Sequence, residues 1–125
     1  MAANRVFNFG PVAMSATLTT NILNCNVTSL AGPVGFTLNQ PYIIIRHFRI
    51  VNKTAGAVTF SLWKGATGAN TAGTEIIGQA LSVPANSAYD AYGQWRFDAA
   101  DFLVGGASAG TSLSIEGEGE IGVSG

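Results

Sequence analysis

At 125 residues the sequence has the length of one domain, and a chain of that size buries roughly two-thirds of its unfolded surface, enough for a core without disulfides or metals. Charged residues make up only 10% of it, the net charge is -1, and the six cations, Arg5, Arg46, Arg49, Lys53, Lys64 and Arg96, gather no closer than the group Arg46, His47 and Arg49. A nucleic-acid reader needs a denser basic patch to neutralise phosphates and is not expected; instead, a surface built mainly from Thr, Ser, Asn, Gly and Ala costs little to desolvate and favours lasting contact with other proteins.

Period-two patterns bounded by Gly, Pro or Asn recur along the chain, and helical periodicity is scarce, so the expected class is all-β. Residues 1–10 read either as an ordinary first strand over Val6 to Phe9 or as an arm in which Arg5, Phe7 and Phe9 reach a neighbouring subunit. Residues 11–125 are expected to form a single β-sandwich domain. Thr, Ser and Asn interrupt every apolar stretch among the first thirty residues, so no secretory signal is expected. Between Val12 and Ile22, Val12, Met14, Ala16, Leu18 and Ile22 share one face while Ser15, Thr17, Thr19 and Asn21 share the other, predicting a long half-buried strand.

Cys25, flanked by Asn24 and Asn26, is the sole cysteine; it reads as a small buried hydrophobe and fits folding in a reducing cytoplasm. The sequons Asn26-Val27-Thr28 and Asn52-Lys53-Thr54 are assigned no glycan. Tyr42 to Val51 (YIIIRHFRIV) is apolar on both faces and predicts a central strand covered on both sides. Its Ile43 to Ile45 block falls far short of the roughly 20 apolar residues that span a bilayer.

The Asn52 to Gly56 turn leads into Val58, Phe60 and Leu62, alternating with Thr59, Ser61 and Trp63. The two strands are therefore expected to pair as a hairpin, with Trp63 pointing away from the core. Gly65 to Gly78 predicts a long surface loop suited to contact. Further strands are expected at Gln79 to Val83, Ala88 to Phe97 and Leu113 to Val123, with a turn at Pro84 to Ser87 and a single helical turn at Asp98 to Asp101. About eight short strands at regular spacing point to a two-sheet antiparallel sandwich of jelly-roll type.

Little in the sequence supports catalysis. His47 is the sole histidine and sits in an apolar strand, where a satisfied buried or interface imidazole is the expected role. The string Gly117-Glu118-Gly119-Glu120-Ile121-Gly122 spells G-x-G-x-x-G, but its two glutamates would repel a pyrophosphate. In an extended strand Glu116, Glu118 and Glu120 project from one face, and Leu113, Ile115, Ile121 and Val123 from the other. That acidic row reads as a solvated outer face, as a ladder to Arg46, Arg49 or Arg96 on a neighbouring strand or subunit, or as a calcium site. Asp98 and Asp101 read as a cap and a first-turn acid. Tyr89, Tyr92, Trp95 and Phe97 are expected mostly in the core, and an exposed Trp63 or Trp95 would be an interface anchor. No enzyme activity, cofactor or metal is expected.

Three stretches carry a family resemblance: IRHFRIVNKTAGAVTFSLWKGATG at Ile45 to Gly68, LSVPANSAYDAYG at Leu81 to Gly93, and DFLVGGASAGTSLSIEGEGEIG at Asp101 to Gly122. In this layout of hairpin, polar loop, proline turn and closing acidic-glycine strand, the chain resembles the small β-sandwich virion proteins of tailed bacteriophages, capsid decoration (cement) proteins among them. The resemblance implies a homo-oligomer, often a trimer, made in the host cytoplasm and seated on the outer capsid against the major capsid protein, which it stabilises. A tail or fibre-tip domain that binds a host glycan through Trp63 and the Gly65 to Gly78 loop is the alternative. The protein-interface residues expected on this reading are Arg5, Phe7, Phe9, Arg46, Arg49, Trp63, Trp95, Arg96, Glu116, Glu118 and Glu120.

Overall fold

The computed structural model describes residues 5–25 and 42–122. Among these, eight strands follow in order: β1 (Arg5–Ala13), β2 (Asn21–Asn24), β3 (Tyr42–Asn52), β4 (Val58–Gly65), β5 (Leu81–Val83), β6 (Ala88–Asp98), β7 (Phe102–Ala107) and β8 (Leu113–Gly122). They form two antiparallel four-stranded sheets, ordered β1-β8-β3-β6 and β2-β7-β4-β5. The pairs β1 with β8, β2 with β7, β3 with β6 and β4 with β5 are those of one long hairpin folded back on itself, and every connection except β4 to β5 passes between sheets. That winding is the jelly roll.

The core is where the inner faces meet. Ile43, Ile45, Phe48 and Ile50 of β3, Leu113, Ile115 and Ile121 of β8 and Phe97 of β6 pack against Val58, Phe60 and Leu62 of β4, Leu103 and Ala107 of β7 and Val83 of β5 in one apolar cluster. Alternation on β3 supplies the inner face, interrupted once: the register slips between Ile45 and His47, so that Arg46 is an extra residue and Phe48 still points inward.

Several expectations change. The strand expected from Val12 to Ile22 is broken, because Ser15 Oγ accepts from the Thr17 amide at 3.0 Å while the Thr20 amide and hydroxyl donate to the Thr17 carbonyl at 3.1 and 2.6 Å. Hydroxyl residues compete locally with the strand ladder, and here they turn the chain from one sheet to the other. β3 is covered on one face only, with Arg46, Arg49 and Val51 exposed on the other. β3 and β4 do not form a hairpin. They lie in opposite sheets, and buried Asn52 clips the crossover by donating to the carbonyls of Gly56 at 2.9 Å and Val83 at 3.0 Å.

Trp63 does turn away from the interior cluster, opposite Val104 on the outer side of its sheet, but it is only 3% exposed. The Gly65 to Gly78 loop is anchored: Glu75 bridges to Trp63, and Ile76 is buried in the core. Asp98 to Asp101 is a tight turn, closed by the Asp101 amide on the Asp98 carbonyl and the Asp98 amide on the Asp101 carboxylate, and no helix forms among the described residues. The sequon at Asn26 and the strand end at Val123 lie outside the described residues.

Candidate interaction surface

The outer face of the β1-β8-β3-β6 sheet gathers most of the chain's ionisable side chains. On β8 the acids alternate with glycines. A side chain at Gly117 would strike the Phe9 ring and one at Gly119 the Ile44 carbonyl, so this strand carries no inward side chain there and presents Glu116, Glu118 and Glu120 outward. Beside it β3 presents Arg46, His47 and Arg49, and β6 presents Asp90, Tyr92 and Arg96.

These side chains are tied across the strands. Arg46 Nη2 lies 2.6 Å from Glu120 Oε2, and its Nη1 donates to Gln94 Oε1 at 3.4 Å. His47 stands between two carboxylates, with Nε2 2.8 Å from Asp90 Oδ1 and Nδ1 3.4 Å from Glu118 Oε1. Tyr92 stacks flat on the imidazole, centroids 4.5 Å apart and planes 7° from parallel, and yet is 75% exposed. Arg49 Nε leans to Asp90 at 3.7 Å, and Arg96 pairs with Asp98 at 3.0 Å while its guanidinium covers the Tyr42 ring at 4.2 Å.

Exposed pairs of this kind stabilise the fold by only about 0.2–1 kcal/mol each. They also hold long side chains in place, and a side chain so held has less entropy left to lose if it is covered.

Of the expected interface residues, Arg46, Arg49, Arg96, Glu116, Glu118 and Glu120 come together on this face. The acidic row takes the expected arginine ladder at Glu120, through Arg46, whereas Glu118 meets His47 instead. Arg5 pairs with Ile121 in the strand register. Phe7 and Phe9 are interior, and Phe9 meets Phe48 edge-on at 6.2 Å. Trp95 packs inward on Phe48 at 5.2 Å, and Trp63 is buried, so neither is an exposed anchor.

His47 was expected as a satisfied imidazole and is held by two carboxylates on this face; two other contributors were not foreseen, Asp90 and Tyr92. The last two had a signal, since Asp90 and Tyr92 alternate with the inward Tyr89 and Ala91. The position of His47 depends on the extra residue at Arg46. Among the described residues no hydroxyl or thiol is hydrogen-bonded to His47, and no three His, Cys, Asp or Glu side chains are placed to hold a metal ion. Cys25 is fully buried, and burial, reinforced by the Asp101 carboxylate, pushes its thiol up to about 12.

No protein-family model matches the chain, and no curated protein does. Among solved structures, the coat protein dimer of tobacco streak virus is similar to it with a TM-score of 0.47 and 14% sequence identity, over 96% of this chain and 85% of that one.

Proposed function

We propose that this chain is a structural protein of a virion, a decoration protein that works by being covered by its neighbours: further copies of itself and the major capsid protein of a phage head. The observation that carries this reading is the outer face of the β1-β8-β3-β6 sheet, where the ionic side chains are pre-ordered around the exposed ring of Tyr92. An exposed aromatic framed by ordered, charge-balanced groups is the make-up of a protein contact rather than of a catalytic cleft. The resemblance to tailed-phage virion β-sandwiches and the low charge of the whole chain support the same conclusion. The fibre-tip alternative loses its expected sugar platform, since Trp63 is buried.

The test is to add purified protein to heads stripped of it and sediment the mixture. Wild-type protein is expected to pellet with the heads and raise their resistance to heat or chelator. Protein left in the supernatant, or missing from the proteome of purified particles, overturns the reading.

A further inference from the structure

Charge on the outer face is sorted by strand. The acids Glu116, Glu118 and Glu120 form a row on β8, and Arg46, His47 and Arg49 form a row on the adjacent β3. Among the described residues Glu116 alone of these six takes no ion pair or hydrogen bond, although it stands directly opposite Arg49. Arg49 leans the other way, towards Asp90 on β6, with Nε 3.7 Å from Oδ1, and its side chain remains 50% exposed. One free carboxylate and one free guanidinium end thus sit side by side without satisfying each other.

We infer that this face seats a second copy of the chain about a two-fold axis running along the strands between β8 and β3. The inference rests on reading this face as a protein-contact surface. The rotation lays the acidic row of each copy over the basic row of the other, so that Glu116 meets the partner's Arg49 and Arg49 meets the partner's Glu116. It also carries β6 over the partner's β1. The two most exposed large apolar side chains among the described residues, Tyr92 at 75% and Val6 at 90%, lie on this face on those opposite edge strands. The rotation brings each within reach of the other, at the diagonal spacing that aromatic side chains cover.

Four strands about 4.8 Å apart and about 30 Å long give a flat area of about 600 Å² before side-chain relief is counted. That approaches the roughly 800 Å² per partner of stable complexes. A self-complementary patch closes as an isologous pair, whereas the trimer that the phage resemblance implies needs two different patches.

The test uses the full chain and measures mass by sedimentation velocity. Wild type is expected as a dimer. Glu116→Arg and Arg49→Glu each set like charges against each other twice, and each is expected to weaken self-association by at least about 100-fold. An equimolar mixture of the two variants pairs opposite charges at both contacts and is expected to restore a dimer, as is the double variant. Restoration in the mixture requires both chains to be folded. Tyr92→Asp, at a site too exposed to unfold the sandwich, is expected to give a monomer that keeps the near-ultraviolet dichroism of a folded chain.

A monomeric or trimeric wild type, single variants that associate as well as wild type, or a mixture that stays monomeric would each overturn the two-fold pair. The same samples sedimented with stripped heads separate the two ideas. A wild-type monomer that pellets with heads removes the pair and keeps the virion reading. A wild-type dimer that ignores heads does the reverse.

Discussion

Replacing Asn52 tests the crossover that turns a would-be hairpin into a jelly roll. Its side chain, only 1% exposed, makes four hydrogen bonds: Nδ2 donates to the carbonyls of Gly56 at 2.9 Å and Val83 at 3.0 Å, and Oδ1 accepts from the Thr54 amide at 2.9 Å and the Thr54 hydroxyl at 2.7 Å. In Asn52→Ala the Thr54 hydroxyl still serves the Gly56 carbonyl at 3.0 Å. The Thr54 amide is stranded, and the Val83 carbonyl loses a donor additional to its ladder pairing with Val58. A buried unpaired group costs about 1–3 kcal/mol, and with water reaching the Thr54 side the expected loss is about 2–4 kcal/mol in urea melts followed by tryptophan fluorescence.

Asn52→Asp keeps the oxygen that accepts from the Thr54 amide and hydroxyl but sets a carboxylate oxygen against two carbonyl oxygens. The folded state therefore raises that carboxyl's pKa above its unfolded value of about 3.9. The penalty is absent below the unfolded value and grows as pH rises towards the folded one, so the variant should approach wild-type stability only in acid. A loss under 1 kcal/mol for Asn52→Ala at neutral pH, or a pH-independent loss for Asn52→Asp, would refute the clip.

Phe48→Ala, which empties a site between Phe9, Trp95 and Gly117, is expected to cost about 3–5 kcal/mol in the same melts, against less than about 1.5 for the half-exposed Ile44→Ala. Gly119→Ala drives a methyl group into the Ile44 carbonyl and is expected to lose about 1–3 kcal/mol, whereas Gly56→Ala meets open space and should change stability by less than about 0.5. With the Cys25 thiol held at about 12, a thiol reagent is expected to label the chain only after unfolding. Stability should fall as pH rises from the unfolded value of about 8.5 towards the folded one, a slope that Cys25→Ala should remove. Deleting Arg46, Gly93 and Gln94 together is expected to keep a cooperative fold within about 2 kcal/mol of wild type; a molten product in near-ultraviolet dichroism would show that these residues serve the core.

Alternation, with one apolar run bounded by turn residues, was enough to find most strands and the sandwich class. YIIIRHFRIV is β3, VTFSLW opens β4, and the Glu116 row faces outward as its spacing requires. What alternation does not encode is which strand lies beside which. The β3–β4 stretch reads as a hairpin because its turn is short, and only the inward orientation of Asn52 and its bonds to β5 carry the chain into the other sheet. β7 was not among the expected strands: FLVGGA is a short apolar run with two glycines and no alternation. A side chain at Gly105 would meet the Ser61 carbonyl, so glycine here marks two backbones in close approach at the middle of a sheet. The candidate surface was half legible: its arginines and glutamates are conspicuous in so lightly charged a chain. Tyr92 was grouped with core aromatics, and the side to which His47 points follows a one-residue slip that alternation does not reveal.

The irregularity at Arg46 shows how the fold separates the core from the outer ionic network. Between the inward Ile45 and Phe48, β3 needs one outward residue and has two, Arg46 and His47. On β6, Tyr92 pairs with His47 and Trp95 with Ile45, so Gly93 and Gln94 are extra opposite the single Arg46. β8 has no extra residue at that level, since Glu118 and Gly119 are consecutive partners. None of the three extra residues fills the interior. Arg46 reaches Glu120 and Gln94, and the slip leaves His47 between Asp90 and Glu118 under the Tyr92 ring. Bulges cost ladder hydrogen bonds and re-aim side chains. Two adjacent strands bulge at one level, and Arg46, Gln94 and His47 all enter the outer network while Ile45 and Phe48 keep their places in the core.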